Sequence, residues 1–211
     1  MIRKKTTVRG CVFGPVPSRR LGRSLGVDLV PAKTCPLDCI YCEAGRTTRV
    51  ATARAEFIPT TTVLAELAAV LGTQPELDYV TFSGAGEPTL HSGIGEIIRW
   101  LKQHHPEYRI CLLTNGMLLP DLAVRRELAP LDLIIPSLDA ADEETFRKIN
   151  RPAPGLTCRE LPAAYAAFRR ESAAAFWLEI FVVPGINDHP AAIAALREAV
   201  AVIRPDKIQL N

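Results

Sequence analysis

Three cysteines, Cys35, Cys39 and Cys42, stand in the stretch CPLDCIYC, separated by three and then two residues. Thiolates spaced this closely are metal ligands, and their number is informative. A structural zinc ion takes four ligands, so a zinc site would have to borrow His91, His104, His105 or His189. A [4Fe–4S] cluster held by three cysteines instead leaves one iron open to bind a small molecule. That reading accounts for a set of three, with a non-catalytic metal-binding module as the alternative from another class. Cys11, Cys111 and Cys158 stand apart from the motif and read as small buried side chains.

The elements that must position these thiols form one repeated alternation. Short runs rich in β-branched and aromatic residues lie at 25–31, 78–84, 109–116, 131–139, 176–185 and 206–211. Helical patterns lie near 61–72, 92–104, 121–129, 142–149, 158–172 and 190–203. Leu64, Leu67, Ala68 and Leu71 give one helix its apolar face, and Ile94, Ile97, Ile98 and Leu101 do so for the next. Strand followed by helix six times over predicts parallel βα units with right-handed crossovers. One strand parity is apolar (Val80, Phe82, Ile208, Leu210), while the other carries Thr81, Ser83, Lys207 and Gln209. Asp28, Ser137, Asp139 and Glu179 also sit within or at the ends of apolar strands. Charges pressed unpaired against helices are costly, so the polar parity is expected to line a wet interior. The fold class is therefore α/β, a six-stranded parallel (β/α)6 partial TIM barrel with its functional loops at the strand C-termini. Glu179 and Lys207 are expected to face the cavity and to pair with each other or with bound polar groups.

The chain has 211 residues with 25 Lys and Arg against 23 Asp and Glu, a net charge of +2 that makes no overall case for a polyanion binder. No stretch approaches the ~18 apolar residues of a membrane span, and the basic start lacks the apolar core of a secretory signal. A cytoplasmic monomer with no membrane association is expected, its cysteines thiols or ligands. The charge is uneven: Arg3, Lys4, Lys5, Arg9, Arg19, Arg20 and Arg23 precede the first acidic residue, Asp28. Residues 1–24 are read as a basic leader packed on the barrel, and 25–211 as the core domain.

The cysteine motif at the end of the first strand resembles the signature of the radical S-adenosylmethionine enzymes. The resemblance implies that Cys35, Cys39 and Cys42 hold a [4Fe–4S] cluster and that S-adenosylmethionine chelates the open iron. Tyr41 would lie beside the adenine, and an external one-electron reductant of flavodoxin or ferredoxin type would drive cleavage to a 5′-deoxyadenosyl radical. After the second strand, SGAGEPTL is similar to the family's Gly-Gly-Glu-Pro element, with Ala85 in place of the first glycine, then Gly86 and Glu87. Glycines admit close backbone approach, and the Glu87 carboxylate would meet the methionyl amine. The next strand ends read LTNG, PSLDA and VVPGIND. Thr114, Asn115, Ser137, Asp139 and Asn187 are the candidates there for ribose and carboxylate contacts. Each has an alternative as a turn residue or helix cap.

The segment FGPVPSRRLGRSLGVDLVP is similar to the leader of a subgroup placed with the wybutosine biosynthesis enzymes that modify tRNA. Arginines there suit phosphate recognition. Arg19, Arg20, Arg23, Glu179, Lys207 and Gln209 are the candidate substrate residues. The wybutosine enzymes carry cysteines for a second cluster, whereas only Cys11 precedes the barrel here, so one cluster is expected. The sequence ends directly after the sixth strand, so either a large substrate completes the site or further sequence does. The expected function is hydrogen abstraction from a nucleoside in RNA, an oxidoreductase-type tRNA modification. A partner protein receiving a glycyl radical from an activase is the second enzymatic reading.

Overall fold

Alternating β-rich and amphipathic segments resolve, in a computed structural model that describes residues 10–211, into a curved sheet with helices on its outside. Six parallel strands follow in sequence order: β2 (Gly22–Val27), β5 (Tyr79–Phe82), β6 (Arg109–Thr114), β7 (Leu133–Pro136), β8 (Ala175–Ile180) and β9 (Lys207–Leu210). β1 (Val12–Ser18) adds an antiparallel strand outside β2. A two-stranded pair, β3 (Thr34–Cys35) and β4 (Arg49–Val50), braces the loop after β2. The helices are α1 (Thr60–Leu71), α2 (Ile94–His104), α3 (Leu122–Leu128), α4 (Glu143–Asn150), α5 (Leu161–Glu171) and α6 (Pro190–Ile203). This is the partial barrel expected from the alternation, open between β1 and β9. Among the described residues no helix is long and apolar enough to cross a membrane.

β1 was not expected. Gly14, Pro15 and Pro17 make VFGPVPS read as a turn, but an outer strand tolerates proline because one of its sides needs no ladder partner. A register shift between Phe13 and Val16 absorbs the irregularity. β2 likewise starts at Gly22, inside the stretch expected as leader. Arg3, Lys4, Lys5 and Arg9 of that leader lie outside the described residues.

The two strand parities divide only in part as the sequence implies: the inner face is apolar over part of its area, where a wet interior was expected, because several strands carry large side chains on both parities, and Ile208 and Leu210 on the outer parity of β9 are exposed. Val80, Phe82, Leu112, Ile134, Phe176 and Leu178 pack against the helices in the main core. On the inner face Leu21, Tyr79, Cys111, Leu133 and Ile135 form a second cluster with Leu113, Ala175 and Trp177 against it. Thr81 joins Ser24 across the strands by a 2.6 Å hydroxyl contact. Ile94, Ile97, Ile98 and Leu101 are buried on α2 as expected. On α1 the buried line is Val63, Leu67 and Leu71, so the face is rotated from the Leu64–Ala68 line toward Val63. Cys11, Cys111 and Cys158 are buried.

Candidate functional site

The loop carrying the three cysteines is tied down by the strand ends after β5, β7 and β8 and by the end of α4, which is what a short irregular segment needs to hold a defined geometry. At its start, Lys33 N–H donates to the Ala85 carbonyl at 2.6 Å, and Glu87 N–H donates to the Thr34 carbonyl at 3.0 Å. Gly86 permits this approach, since a Cβ there would lie 2.5 Å from the Thr34 oxygen and 2.5 Å from Val30 Cγ2. In its middle, Asp38 N–H donates to the Asn150 carbonyl and Ile40 N–H to the Ile149 carbonyl, both at 2.9 Å. Toward its end, Tyr41 donates its hydroxyl to Asp139 Oδ2 at 2.5 Å and stacks on Phe181, ring centroids 4.1 Å apart.

Two of the sulfurs receive amide donors. Asn115 Nδ2 donates to Cys35 Sγ at 3.4 Å and Asn150 Nδ2 to Cys39 Sγ at 3.3 Å. Cys42 is exposed. Burial pushes the Cys35 thiol up to about 12, helped by the Glu87 carboxylate, and the Cys39 thiol up to about 11. Ligation to a metal must displace those protons.

The carboxylates expected to meet ligand hold the loops together. Glu87 is 3% exposed, and its Oε1 accepts from Thr89 N–H at 3.0 Å, the Thr89 hydroxyl at 2.6 Å and the Thr114 hydroxyl at 2.6 Å. Its Oε2 accepts from Asn115 N–H at 2.7 Å. Burial pushes this carboxyl upward while those hydrogen bonds pull it back. Asp139 is also buried and pushed upward for the same reason, accepting from Tyr41, from Asn150 Nδ2 at 2.7 Å and from Phe181 N–H at 2.9 Å. Asn187 donates to the Asp139 and Phe181 carbonyls at 2.9 and 2.8 Å and accepts from Val183 N–H at 2.7 Å. Asp139 and Asn187 are not helix caps: Asp142 caps α4 and His189 caps α6. Gly116 takes φ +75, and a Cβ there would overlap the Tyr165 hydroxyl. That hydroxyl donates to the Ser137 carbonyl at 2.8 Å, fixing the strand end after β7.

Glu179 projects from the inner parity of β8, but its partner is not Lys207. It pairs with Arg20 from the β1–β2 turn and accepts from Asn211 Nδ2 at 2.5 Å. Lys207 instead lies over the Trp177 ring, 4.3 Å from its centroid. The reason is reach: the turn before β2 folds across the barrel's open side, bringing a guanidinium to Glu179 from across the gap. Arg19, Arg20, Lys207 and Gln209 line one cavity of about 780 Å³ with Glu43, Phe181 and Asn211 among its walls. Arg23 does not join them, because its guanidinium pairs with Glu76.

Asn150, Phe181 and Tyr165 were not legible as site residues. Asn150 ends an amphipathic helix, where an asparagine reads as a terminal residue, and its approach to Cys39 spans 111 positions. The sequence contains no local sign of it.

Three cysteines without a fourth protein ligand are the donor set of a cluster with one open iron, not of a closed four-ligand zinc site. A single zinc gathers its thiolates on one point, whereas a cluster takes each on a separate iron. Among the described residues no three His, Cys, Asp or Glu side chains are gathered as a metal-binding group. His91, a candidate fourth zinc ligand, has both ring nitrogens engaged, with the Ile58 carbonyl at 2.7 Å and Gly93 N–H at 3.0 Å. Two buried oxygens without a partner, Thr34 Oγ1 and Asn150 Oδ1, belong to residues at the cysteine loop.

The family model for the Radical SAM superfamily matches residues 29–196. The chain is 35% identical over 201 residues to the UPF0026 protein slr1464 of Synechocystis sp., covering 95% of this chain and 74% of that one. It is 38% identical over 199 residues to a protein named GTPase Obg from Brachyspira hyodysenteriae, 94% of this chain but only 29% of that protein. A shorter match, 48% over 75 residues, covers 35% of this chain and 23% of a probable GTP 3′,8-cyclase of Saccharolobus islandicus. Among solved structures, a radical SAM methyltransferase from Sphaerobacter thermophilus superposes with TM-score 0.60 at 22% identity, over 89% of this chain and 55% of that one. Native anSMEcpe with bound AdoMet gives TM-score 0.65 at 18% identity, over 89% and 51%. The fold is thus that of the radical SAM partial barrels. The chain belongs to the Radical SAM superfamily and, within it, to the UPF0026 proteins. Membership implies S-adenosylmethionine and a [4Fe–4S] cluster as the groups this site handles.

Proposed function

We propose that this chain is the core of a radical S-adenosylmethionine enzyme that abstracts hydrogen from a nucleoside in RNA, as the wybutosine enzymes it resembles act on tRNA. The observation that carries the substrate reading is the 780 Å³ cavity, because it begins at Glu43, the residue after Cys42, and is lined by Arg19, Arg20 and Lys207. A volume of that order accommodates a small-molecule-sized unit. Its cations suit phosphate oxygens, and the amides of Gln209 and Asn211 suit the polar edge of a base. The partial match to a probable GTP 3′,8-cyclase, a name of nucleotide chemistry, points the same way.

With a cluster on Cys35, Cys39 and Cys42, bound S-adenosylmethionine would supply a hydrogen-abstracting carbon radical on one-electron reduction. The chain's own residues build the surroundings. Ala85 and Gly86 present backbone beside the thiols, and Glu87 Oε2, with one donor, keeps an acceptor site for a cationic amine. Tyr41, Thr114, Asn115, Ser137, Asp139 and Asn187 hold the strand-end loops in register around it. The inner cluster from Leu21 to Ile135 excludes water below.

The test is anaerobic reconstitution followed by assay of 5′-deoxyadenosine, with mass spectrometry of RNA from cells lacking the protein. A missing RNA modification together with 5′-deoxyadenosine formation supports the proposal. Formation of 5′-deoxyadenosine with unchanged RNA would favour a protein substrate, as for a glycyl-radical activase. Absence of cleavage under reduction would defeat the enzymatic reading.

A further inference from the structure

Two glycines near the ends of β2 and β5 make room for side chains from neighbouring strands. A Cβ at Gly26 would stand 2.1 Å from Phe13 Cζ, so the Phe13 ring takes the place of a side chain on β2. The ring is nevertheless 41% exposed. A Cβ at Gly84 would stand 2.2 Å from Asp28 Cγ and 2.4 and 2.5 Å from its two oxygens, so the carboxylate lies face-on over the backbone past β5. Its Oδ2 accepts from Ala85 N–H at 3.2 Å, and the two oxygens keep lone pairs for further donors.

Phe13 and Asp28 wall one cavity of about 800 Å³, with Val30, Ser83, Ala85 and Glu43 beside them. A volume of that order takes a nucleoside-sized unit. Glu43 is also a wall of the cavity that holds Arg19, Arg20 and Lys207, so the two cavities adjoin at the residue after Cys42. One supplies cations, the other an aromatic ring and a carboxylate. Burial pushes the Asp28 carboxyl upward, and the Ala85 and Val30 amides pull it back. Further N–H donors therefore stabilise its charged form.

We propose that this cavity reads a guanine base beside the target nucleoside, packed on Phe13 with its N1–H and N2–H donating to the Asp28 carboxylate. The inference rests on the reading that RNA is the substrate. Unstacked RNA bases are recognised by aromatic packing and by hydrogen bonds along their pairing edge. Guanine alone of the four bases sets two adjacent N–H donors on that edge. Adenine and cytosine place a ring-nitrogen acceptor beside their amino group, and uracil flanks its N–H with carbonyls, so each would turn an acceptor toward a carboxylate oxygen. An arginine of a protein substrate offers a similar planar pair of donors. The adjoining cations repel it and suit phosphate, so a base carried on a phosphate backbone satisfies both cavities.

The experiment measures binding of guanosine monophosphate and of inosine monophosphate, which lacks only the 2-amino group, to reconstituted holoprotein and its Asp28→Asn and Phe13→Ala variants. The wild type is expected to bind the guanine nucleotide about tenfold tighter, the scale of discrimination by a bidentate pair. Asp28→Asn should remove that preference, because an amide nitrogen replaces one acceptor, and Phe13→Ala should weaken both nucleotides alike. Iron content and S-adenosylmethionine affinity should hold in both variants. Equal affinity of the wild type for the two nucleotides overturns the proposal whatever the variants do. So does S-adenosylmethionine affinity that falls with guanine affinity in Asp28→Asn, which would give Asp28 to the cofactor. Asp28-dependent binding of an arginine-containing peptide, with no preference between the nucleotides, would also overturn it and assign the cavity to a protein substrate. Unchanged RNA in cells lacking the protein would defeat the proposed function, while the nucleotide comparison still decides this site.

Discussion

Asn150 places its side-chain amide between Cys39 Sγ, 3.3 Å away, and Asp139 Oδ2, 2.7 Å away. The orientation is dictated by chemistry, because turning the amide would set its oxygen against a carboxylate. The amide oxygen is left buried without a donor. A buried group held this way acts on the sulfur, and hydrogen bonds to ligand sulfurs stabilise the more negative, reduced form of a cluster. Asn150→Ala should lower the cluster's reduction midpoint, read by an electron paramagnetic resonance titration. A midpoint equal to wild type would show that Asn150 only supports the fold.

Replacing Cys35, Cys39 or Cys42 by Ala should abolish the iron content and visible absorption of the reconstituted protein. The same change at Cys11, Cys111 or Cys158 should leave both intact, at a stability cost of about 1 kcal/mol for the lost packing. Iron retained after loss of any one of the first three would contradict the assignment.

Glu87→Gln should cost roughly 1–3 kcal/mol of stability, because an amide nitrogen would face Thr114, Thr89 or Asn115 donors that now meet carboxylate oxygens. Since burial raises this carboxyl above its unfolded value, the folded state holds the proton more tightly. Its contribution is therefore present at low pH and declines as pH rises from about 4.3, the ordinary glutamate value, through the folded value. Denaturant unfolding of wild type and variant from pH 4.5 to 7 checks this. The wild-type advantage should narrow with rising pH, and a widening gap would reverse the sign.

Arg20 and Glu179 should show a coupling of about 1 kcal/mol in a double-mutant cycle, modest because the Arg20 side chain is 35% exposed. Glu179 and Lys207 should show none, since Lys207 lies over Trp177. Glu179→Ala should also reduce turnover per folded molecule with cluster content unchanged. Unaltered turnover would make the pair a brace for the barrel's open side.

The alternation of strand and helix and the cysteine motif were legible in the sequence because each rests on near neighbours in the chain, whereas the apolar cluster on the barrel's inner face was not. Periodicity reports which face of an element is buried, and CPLDCIYC carries its ligands within eight residues. The tertiary structure alone decided which partners those residues take. Glu179 meets Arg20 rather than Lys207 because closure of the β1–β2 turn across the barrel brings together side chains 159 positions apart. Val12–Ser18 became a strand despite two prolines because the open barrel offered it an outer edge. Asn150 reaches Cys39 because backbone hydrogen bonds lay the end of α4 along the cysteine loop. Local pattern specifies elements and their faces, whereas pairings between polar groups far apart in sequence depend on where the packed core carries them.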